Sequence, residues 1–364
     1  MTPTTATSST TVSRTVQRPR PGSRKLLIRL GSGVALRVPV RMVWVGLALC
    51  VALLAACVAT LTVGRLGIAL PDLPSALSGN ATGVDSFVLD RLRGPRLTVA
   101  VAAGAAFGLS GALFQSVTRN PLGSPDVIGL GPGAGAGAAL VALLFPDVPV
   151  ALGALGGALA AMAVVYVSTG SGFRNPSRLV IAGIGVSAMA TAFIQYIVYA
   201  IERDQATVLS SYLNGSLTAR SWDDAATIGV VLLLCVPCAA LLSRPLGLSE
   251  MGDTTAAALG ARPERAFTGA VLLTIVLSAG AVTVAGPISF IALTAPQIVK
   301  RITRGSGPHL TLSALSGALL LVLADLAAQN APLFGKLPVG IWTMALGGAY
   351  LGYLLLREWR RGAL

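Results

Sequence analysis

Ten apolar runs constrain what this chain can fold into more than any other feature. They cover approximately residues 42–64, 97–118, 127–145, 149–169, 179–200, 225–243, 267–285, 287–302, 310–330 and 338–356, with the eighth the shortest. A helix needs about twenty apolar residues to cross about 30 Å of hydrocarbon. Inside a bilayer the backbone must satisfy its own hydrogen bonds, so each run is predicted to be helical. The pattern therefore predicts an all-α, polytopic membrane protein with about ten transmembrane helices. A soluble core is excluded by the charge content, 11% against the roughly one quarter usual in soluble domains. The 42 glycines suit close helix approach in lipid, where packing and not water exclusion drives association.

Charge sets the orientation. The net charge of +13 has no aromatic-interleaved basic surface behind it, which argues against nucleic acid as a partner. If the N-terminal tail is cytoplasmic, twenty Lys and Arg residues fall inside and seven outside, as the positive-inside rule requires. Both termini are then cytoplasmic and the chain is a multi-pass protein of the cytoplasmic membrane, in contact with lipid. Residues 1–41 carry eight basic and no acidic residues from Arg14 onward, amid Ser, Thr and Pro. They are predicted to be a disordered basic cytoplasmic tail, with residues 42–364 forming the transmembrane domain. Four of the seven outside cations, Arg65, Arg91, Arg93 and Arg96, flank a single loop. Orientation does not require that cluster.

Nothing in the chain points to chemistry of its own. The glycine-rich stretch Gly129-Leu-Gly-Pro-Gly-Ala-Gly-Ala-Gly137 lacks the lysine and hydroxyl of a phosphate-binding loop and reads as small-residue packing. The sequence shows no paired carboxylates or catalytic Ser/His arrangement. Its single histidine, His309, opens a span, where an interfacial role is the default. Cys235-Val-Pro-Cys238 lies in an apolar run without the context of a redox or metal site, so no cofactor is predicted. Asp325 alone stands as an acidic residue within a span. Ion-coupled secondary carriers, the rival class, usually place ionisable groups at mid-membrane, so an energy source in another subunit is favoured. In the fifth run Gly183, Ser187, Thr191, Gln195 and Tyr199 recur every fourth residue and share one helical face. That neutral polar face serves either hydrogen bonding between helices or the lining of a pathway.

The stretch GLSGALFQSVTRNPLGSPDVIG, preceded by Arg93-Gly94-Pro95-Arg96, resembles the FecCD family of binding-protein-dependent iron-siderophore and vitamin B12 permeases. Members carry R-x-P-R, then S-G-A-x-x-Q, then N-P-L-x-x-P-x-x-[LIV]-G. VAGPISFIALTAPQIVKRI, ALLLVLADLAA and KLPVGIWTMALGGAYLGYLLL are similar to the family's later signatures, in the same order. NPLGSPDVIG is most similar to the ferric-enterobactin type.

The resemblance implies a B12-permease-like fold of ten helices in an ATP-binding-cassette importer, without an ATPase of its own. Its partners would be a second permease subunit, identical or homologous, two cytoplasmic ATPases and an extracytoplasmic binding protein. The implied cargo is a ferric siderophore, catecholates favoured, with haem and vitamin B12 within the family's range. Arg93 and Arg96 match the arginines that meet the binding protein. A further docking arginine often follows the A-D motif by four residues. Gln329 stands there instead, and Lys336 is the nearby candidate. Asp325, near the outer end of its helix, would be structural if solvated or paired with an arginine. The segment 246–267 matches the element that engages the ATPase, with Glu250, Asp253, Ala257, Leu259 and Gly260 fitting the pattern. Asn175, Pro176 and Ser177 correspond to the inner gate.

Overall fold

The computed structural model describes residues 25–30, 34–64, 66–80, 83–145, 147–170, 176–200, 209–210, 212–331 and 337–360. Two compact units divide the chain, Met1–Trp44 and Val45–Leu364. In the first, Lys25–Leu30 (β1) and Val34–Pro39 (β2) form an antiparallel pair. The composition predicts disorder here, and the pairing corrects that expectation for these twelve residues. Register explains it: Leu26 stands opposite Val38, Ile28 opposite Leu36 and Leu30 opposite Val34, and apolar cross-strand pairs are the unit of sheet stabilisation. The basic residues between them hide that alternation from a reading by composition.

The second unit is all-α. Its helices are α1 (Val40–Thr62, which begins just before the unit boundary), α2 (Leu73–Leu77), α3 (Val84–Phe87), α4 (Gly94–Thr118), α5 (Leu130–Leu144), α6 (Val150–Ser168) and α7 (Pro176–Ala200). There follow α8 (Trp222–Ser249), α9 (Asp253–Ala258), α10 (Pro263–Ala285), α11 (Ile291–Thr303), α12 (Leu310–Asn330) and α13 (Val339–Arg360). All ten predicted spans are therefore helical. Among the described residues, seven helices are long and apolar enough to cross a membrane: α1, the continuous segment Val84–Thr118, α6, α7, α8, α10 and α12. The predicted third and eighth spans are short helices, α5 with 15 residues and α11 with 13. At 1.5 Å per residue α11 covers about 20 Å, less than the hydrocarbon thickness. The Gly286–Phe290 stretch ahead of it is not helical, with Gly286 at φ 75° and Phe290 at φ 70° breaking the helix. Gly347 leaves space for the Phe290 side chain, whose Cβ lies 2.3 Å from where a Gly347 Cβ would stand.

α4 is the axis of the bundle and packs against α8, α10, α11 and α12. Its glycines are contact points between backbones. A Cβ on Gly108 would sit 2.1 Å from the Ser313 carbonyl oxygen of α12, and one on Gly111 would sit 1.8 Å from that of Ala292 in α11. No side chain intervenes at these crossings, so α4, α11 and α12 form one block with little room to slide. Gly133, Gly137, Gly153 and Gly157 do the same between α5 and α6. This is the use of the glycine-rich stretch at 129–137.

Candidate functional site

Three places carry the predicted functional residues: the two ends of the bundle and one exposed helix face. At one end the chain enters α4 through a π-helical turn, Val88–Arg93. Pro95, in the first turn of α4, has no N–H to donate, and the Gly94 N–H reaches back to the Leu89 carbonyl. Asp90 O, left without its helical donor, accepts from Trp222 Nε1 at 2.8 Å. Such turns recur at functional sites.

The two R-x-P-R arginines are used inside the chain. Arg93 is buried, and its Nη1 donates to Thr60 O at 2.6 Å and Val63 O at 2.8 Å. The carbonyls ending α1 have no helical donor and attract a cation, so Arg93 closes that terminus. Arg93, matched in the sequence to a docking arginine, is thus engaged within its own chain. Arg96 grips Asp325 with both nitrogens, Nε at 3.1 and 3.0 Å from the two carboxylate oxygens and Nη2 at 2.6 Å. Gln329 Nε2 adds a fourth bond to Asp325 at 2.7 Å. Asp325 is only 1% exposed, whereas the Arg96 side chain keeps 21% of its surface. The pair thus makes Asp325 structural and leaves part of Arg96 facing a shallow cavity of about 270 Å³ that Gln329, Ser216 and Thr218 also line. Lys336 lies outside the described residues.

Along α7 the predicted polar face divides. Gly183 is pressed against the backbone of Ile128, Ser187 is half-buried, and Thr191, Gln195 and Tyr199 are exposed. Thr191 Oγ1 donates to the Ser187 carbonyl of its own helix at 2.8 Å. Apolar side chains are exposed on the same helix, Ile181, Ile184, Met189 and Phe193 among them. Of the predicted gate residues, Asn175 lies outside the described residues, Pro176 begins α7, and Ser177 is exposed.

At the opposite end, α8 runs on to Ser249, Glu250 caps it, and α9 follows after Gly252. The stop at Gly260 is the one the sequence predicts, a left-handed residue at φ 81°. Gly260 N–H bonds Ala257 O and Ala261 N–H bonds Ala256 O, the paired closure of a Schellman motif. Ala257, Leu259 and Gly260 are exposed, together with Met251. Glu250 and Asp253 differ from them, because each is paired within the chain. Asp253 bonds Arg119, the left-handed C-cap of α4, and Glu250 lies 3.9 Å from Lys300 in the last turn of α11.

Two titratable groups lie near this end. Asp126 follows the break after α4, and burial pushes its carboxyl up to about 6, although the Ser124 hydroxyl bonded to it pulls the other way. His309, the left-handed cap before α12, is buried beside Thr303, and burial holds its imidazole below its ordinary value. Neither was singled out by sequence as a site, and neither were Arg119 and Lys300. Among the described residues no group of His, Cys, Asp or Glu is placed to hold a metal ion.

Comparison with known proteins shows what this arrangement belongs to. The model of the FecCD transport family matches residues 51–357. The chain is a member of that family. It is 40% identical to the ferric enterobactin transport system permease protein FepG of Escherichia coli K12, over 86% of this chain and 96% of FepG. It is 34% identical to the Fe(3+)-citrate import system permease protein YfmE of Bacillus subtilis, over 86% and 96%. Identity is 32% to the hemin transport system permease protein HmuU of Yersinia pestis, over 73% and 82%. The fold matches a solved metal-chelate type ABC transporter in an inward-facing conformation with a TM-score of 0.75, at 23% identity and covering 86% and 99% of the two chains. As a FecCD protein with these apolar helices, the chain is a multi-pass membrane permease subunit.

The FecCD contacts also agree on sidedness. Arg119 meets Asp253 and Lys300 meets Glu250, while Arg96 meets Asp325 and Trp222 meets Asp90. Each contact joins loops or helix ends that the alternating topology assigns to one side.

Proposed function

We propose that this FecCD chain is the membrane-spanning subunit of an ATP-driven importer that carries a ferric siderophore of the catecholate type into the cytoplasm. The carrying observation is the 40% identity to the ferric enterobactin permease along almost the whole of both chains. A second permease subunit completes the pathway, two ATPases drive it from the cytoplasm and an extracytoplasmic binding protein delivers the cargo. Both termini are cytoplasmic.

The geometry bears on the contact surfaces. Thr191, Gln195 and Tyr199 are exposed on α7, and polar groups facing lipid are costly. They suit a surface shared with the second permease and with a passing solute, where neutral groups leave no deep trap. Exposed Met251 and Leu259 beside α9 suit an apolar contact with an ATPase. On the outer face, the open part of Arg96 and the exposed Arg91 suit an acidic rim on the binding protein, with Lys336 a further candidate. Such rim charges steer docking more than they add affinity. Asn175, Pro176 and Ser177, at the start of α7, suit the inner gate.

The test is ATP-dependent uptake of radiolabelled ferric enterobactin by the assembled transporter in proteoliposomes, with ferric citrate and haemin as competitors. Uptake that needs ATP and is displaced by catecholates supports the proposal. Uptake driven by a proton gradient without the ATPase would refute the importer assignment, and displacement by haemin or citrate alone would refute the catecholate.

A further inference from the structure

Two acidic residues of the segment proposed to couple to the ATPase point back into their own chain. We infer that the ion pairs Asp253–Arg119 and Glu250–Lys300 are a two-point latch through which movement of α9 is passed to the rigid block of α4 and α11. The inference rests on the proposed function and concerns how that segment works.

Packing alone transmits poorly at this place. A groove of about 550 Å³ lies between α9 and the end of α4, with α8 and α10 forming its sides, and is lined by Ser116, Thr118, Ser249, Thr254 and Phe267 among others. Only Ala256 of α9 is buried. Side chains across a gap of that size exert little force on each other, whereas ion pairs bridge it. Arg119 and Asp253 both line the groove, and their pair joins the first residue of α9 to the cap of α4. On the far side Glu250 and Lys300 line a second cavity of about 260 Å³ with Arg119 and Gln115, and their pair joins the cap of α8 to the last turn of α11. Both attachment points are on helices held backbone to backbone, since Gly111 of α4 has no room for a Cβ beside Ala292 of α11. A pull on α9 therefore arrives at one body through two points, which fixes direction as well as displacement.

Arg119 and Lys300 are positioning residues in this scheme, since neither needs to touch ATP or cargo. The side chains of Arg119 and Asp253 are 45% and 61% exposed, and exposed pairs add little to stability. Reversal of the pair should leave a folded permease in which hydrolysis and transport are no longer tied.

The experiment uses the complete transporter in proteoliposomes, with ATP hydrolysis and ferric enterobactin uptake measured on the same preparation. Arg119→Asp and Asp253→Arg are each expected to lower uptake per ATP by about fivefold or more, the usual range of a coupling between sites. The double reversal is expected to restore most of the ratio, and Arg119→Lys to retain it. Unchanged ratios in the single variants, a double variant no better than either single, or loss of the ATPase from the purified complex would each overturn the latch. Wild-type uptake in the same vesicles reports separately on the proposed function.

Discussion

Replacing Arg96 by Met isolates its ion pair with Asp325 and gives a number the structure constrains. The variant removes three hydrogen bonds from Asp325, which is 1% exposed, and leaves it the single bond from Gln329. A buried charge deprived of its partner costs about 3–5 kcal/mol. Gln329 offsets about 1 kcal/mol of that, so a loss of about 3 kcal/mol is expected. Replacing both residues, Arg96→Met with Asp325→Leu, removes the stranded charge and should cost less than about 1 kcal/mol, because apolar substitutes for a buried pair are often neutral. The coupling in the double-mutant cycle is then about 2–3 kcal/mol. Reversible unfolding in dodecyl maltoside micelles with increasing SDS measures it, at low and high salt. The coupling should change little with salt, because a buried pair is screened far less than an exposed one. A coupling below about 0.5 kcal/mol that disappears in salt would show an exposed pair. Arg96 would then be free to serve docking alone, and the structural assignment of Asp325 would fail.

Three further outcomes are expected. Gly108→Val places side-chain atoms where a Cβ already lies 2.1 Å from Ser313 O, and should cost about 3 kcal/mol or more; folded yield in size exclusion should collapse, while Gly156→Val, with open space around it, should not change it. Leu259→Asp puts a charge on the exposed apolar patch beside α9 and should weaken ATPase binding by roughly thirtyfold, about 2 kcal/mol, as for an interface anchor; titration of the purified ATPase onto the permease measures this. Asp126→Asn tests a buried carboxyl. Its folded value of about 6 lies above the ordinary 3.8, so the proton is held more tightly in the folded state. The stabilising contribution is therefore complete below pH about 4 and is lost as pH rises through about 6. The Asn variant should match wild type near pH 3.5 and exceed it in melting temperature near pH 8, and equal differences at both pH values would show that Asp126 is solvated.

What the sequence made legible follows the range of each signal. Apolar runs and the glycine stop at 260 are local patterns, and each appears in the fold where the pattern put it, whereas the four-residue face on α7 divides between buried and exposed positions. The ion pairs are not local. Arg96 and Asp325 stand 229 positions apart and Arg119 and Asp253 stand 134 apart, so no spacing rule joins them. A motif match located Arg93 and Arg96 without showing that their guanidinium groups were already engaged. The same limit hid the division of the 246–267 segment into an inward acidic pair and an outward apolar patch. In the tail, eight basic residues outweighed the period-two alternation of β1 and β2.

The arginines and the latch gain their meaning from the helix that connects them. α4 begins at Gly94, beside Arg93 and Arg96, and its cap is Arg119, so both ends of one helix are fastened to elements distant in sequence. Helices that touch through glycine backbones cannot absorb a shift by rotating side chains, since Gly104, Gly108 and Gly111 have none. A displacement at Arg119 therefore reaches Asp325 with α4 and α12 moving as a unit, or it is not transmitted. This accounts for an acid buried near the C-terminal end of α12. An exposed carboxylate would let Arg96 swing free when the helix moved, whereas Asp325 keeps the guanidinium at a fixed place on the rigid block. In the proposed importer, the binding protein would then meet an outer surface whose position reports the state of the cytoplasmic end.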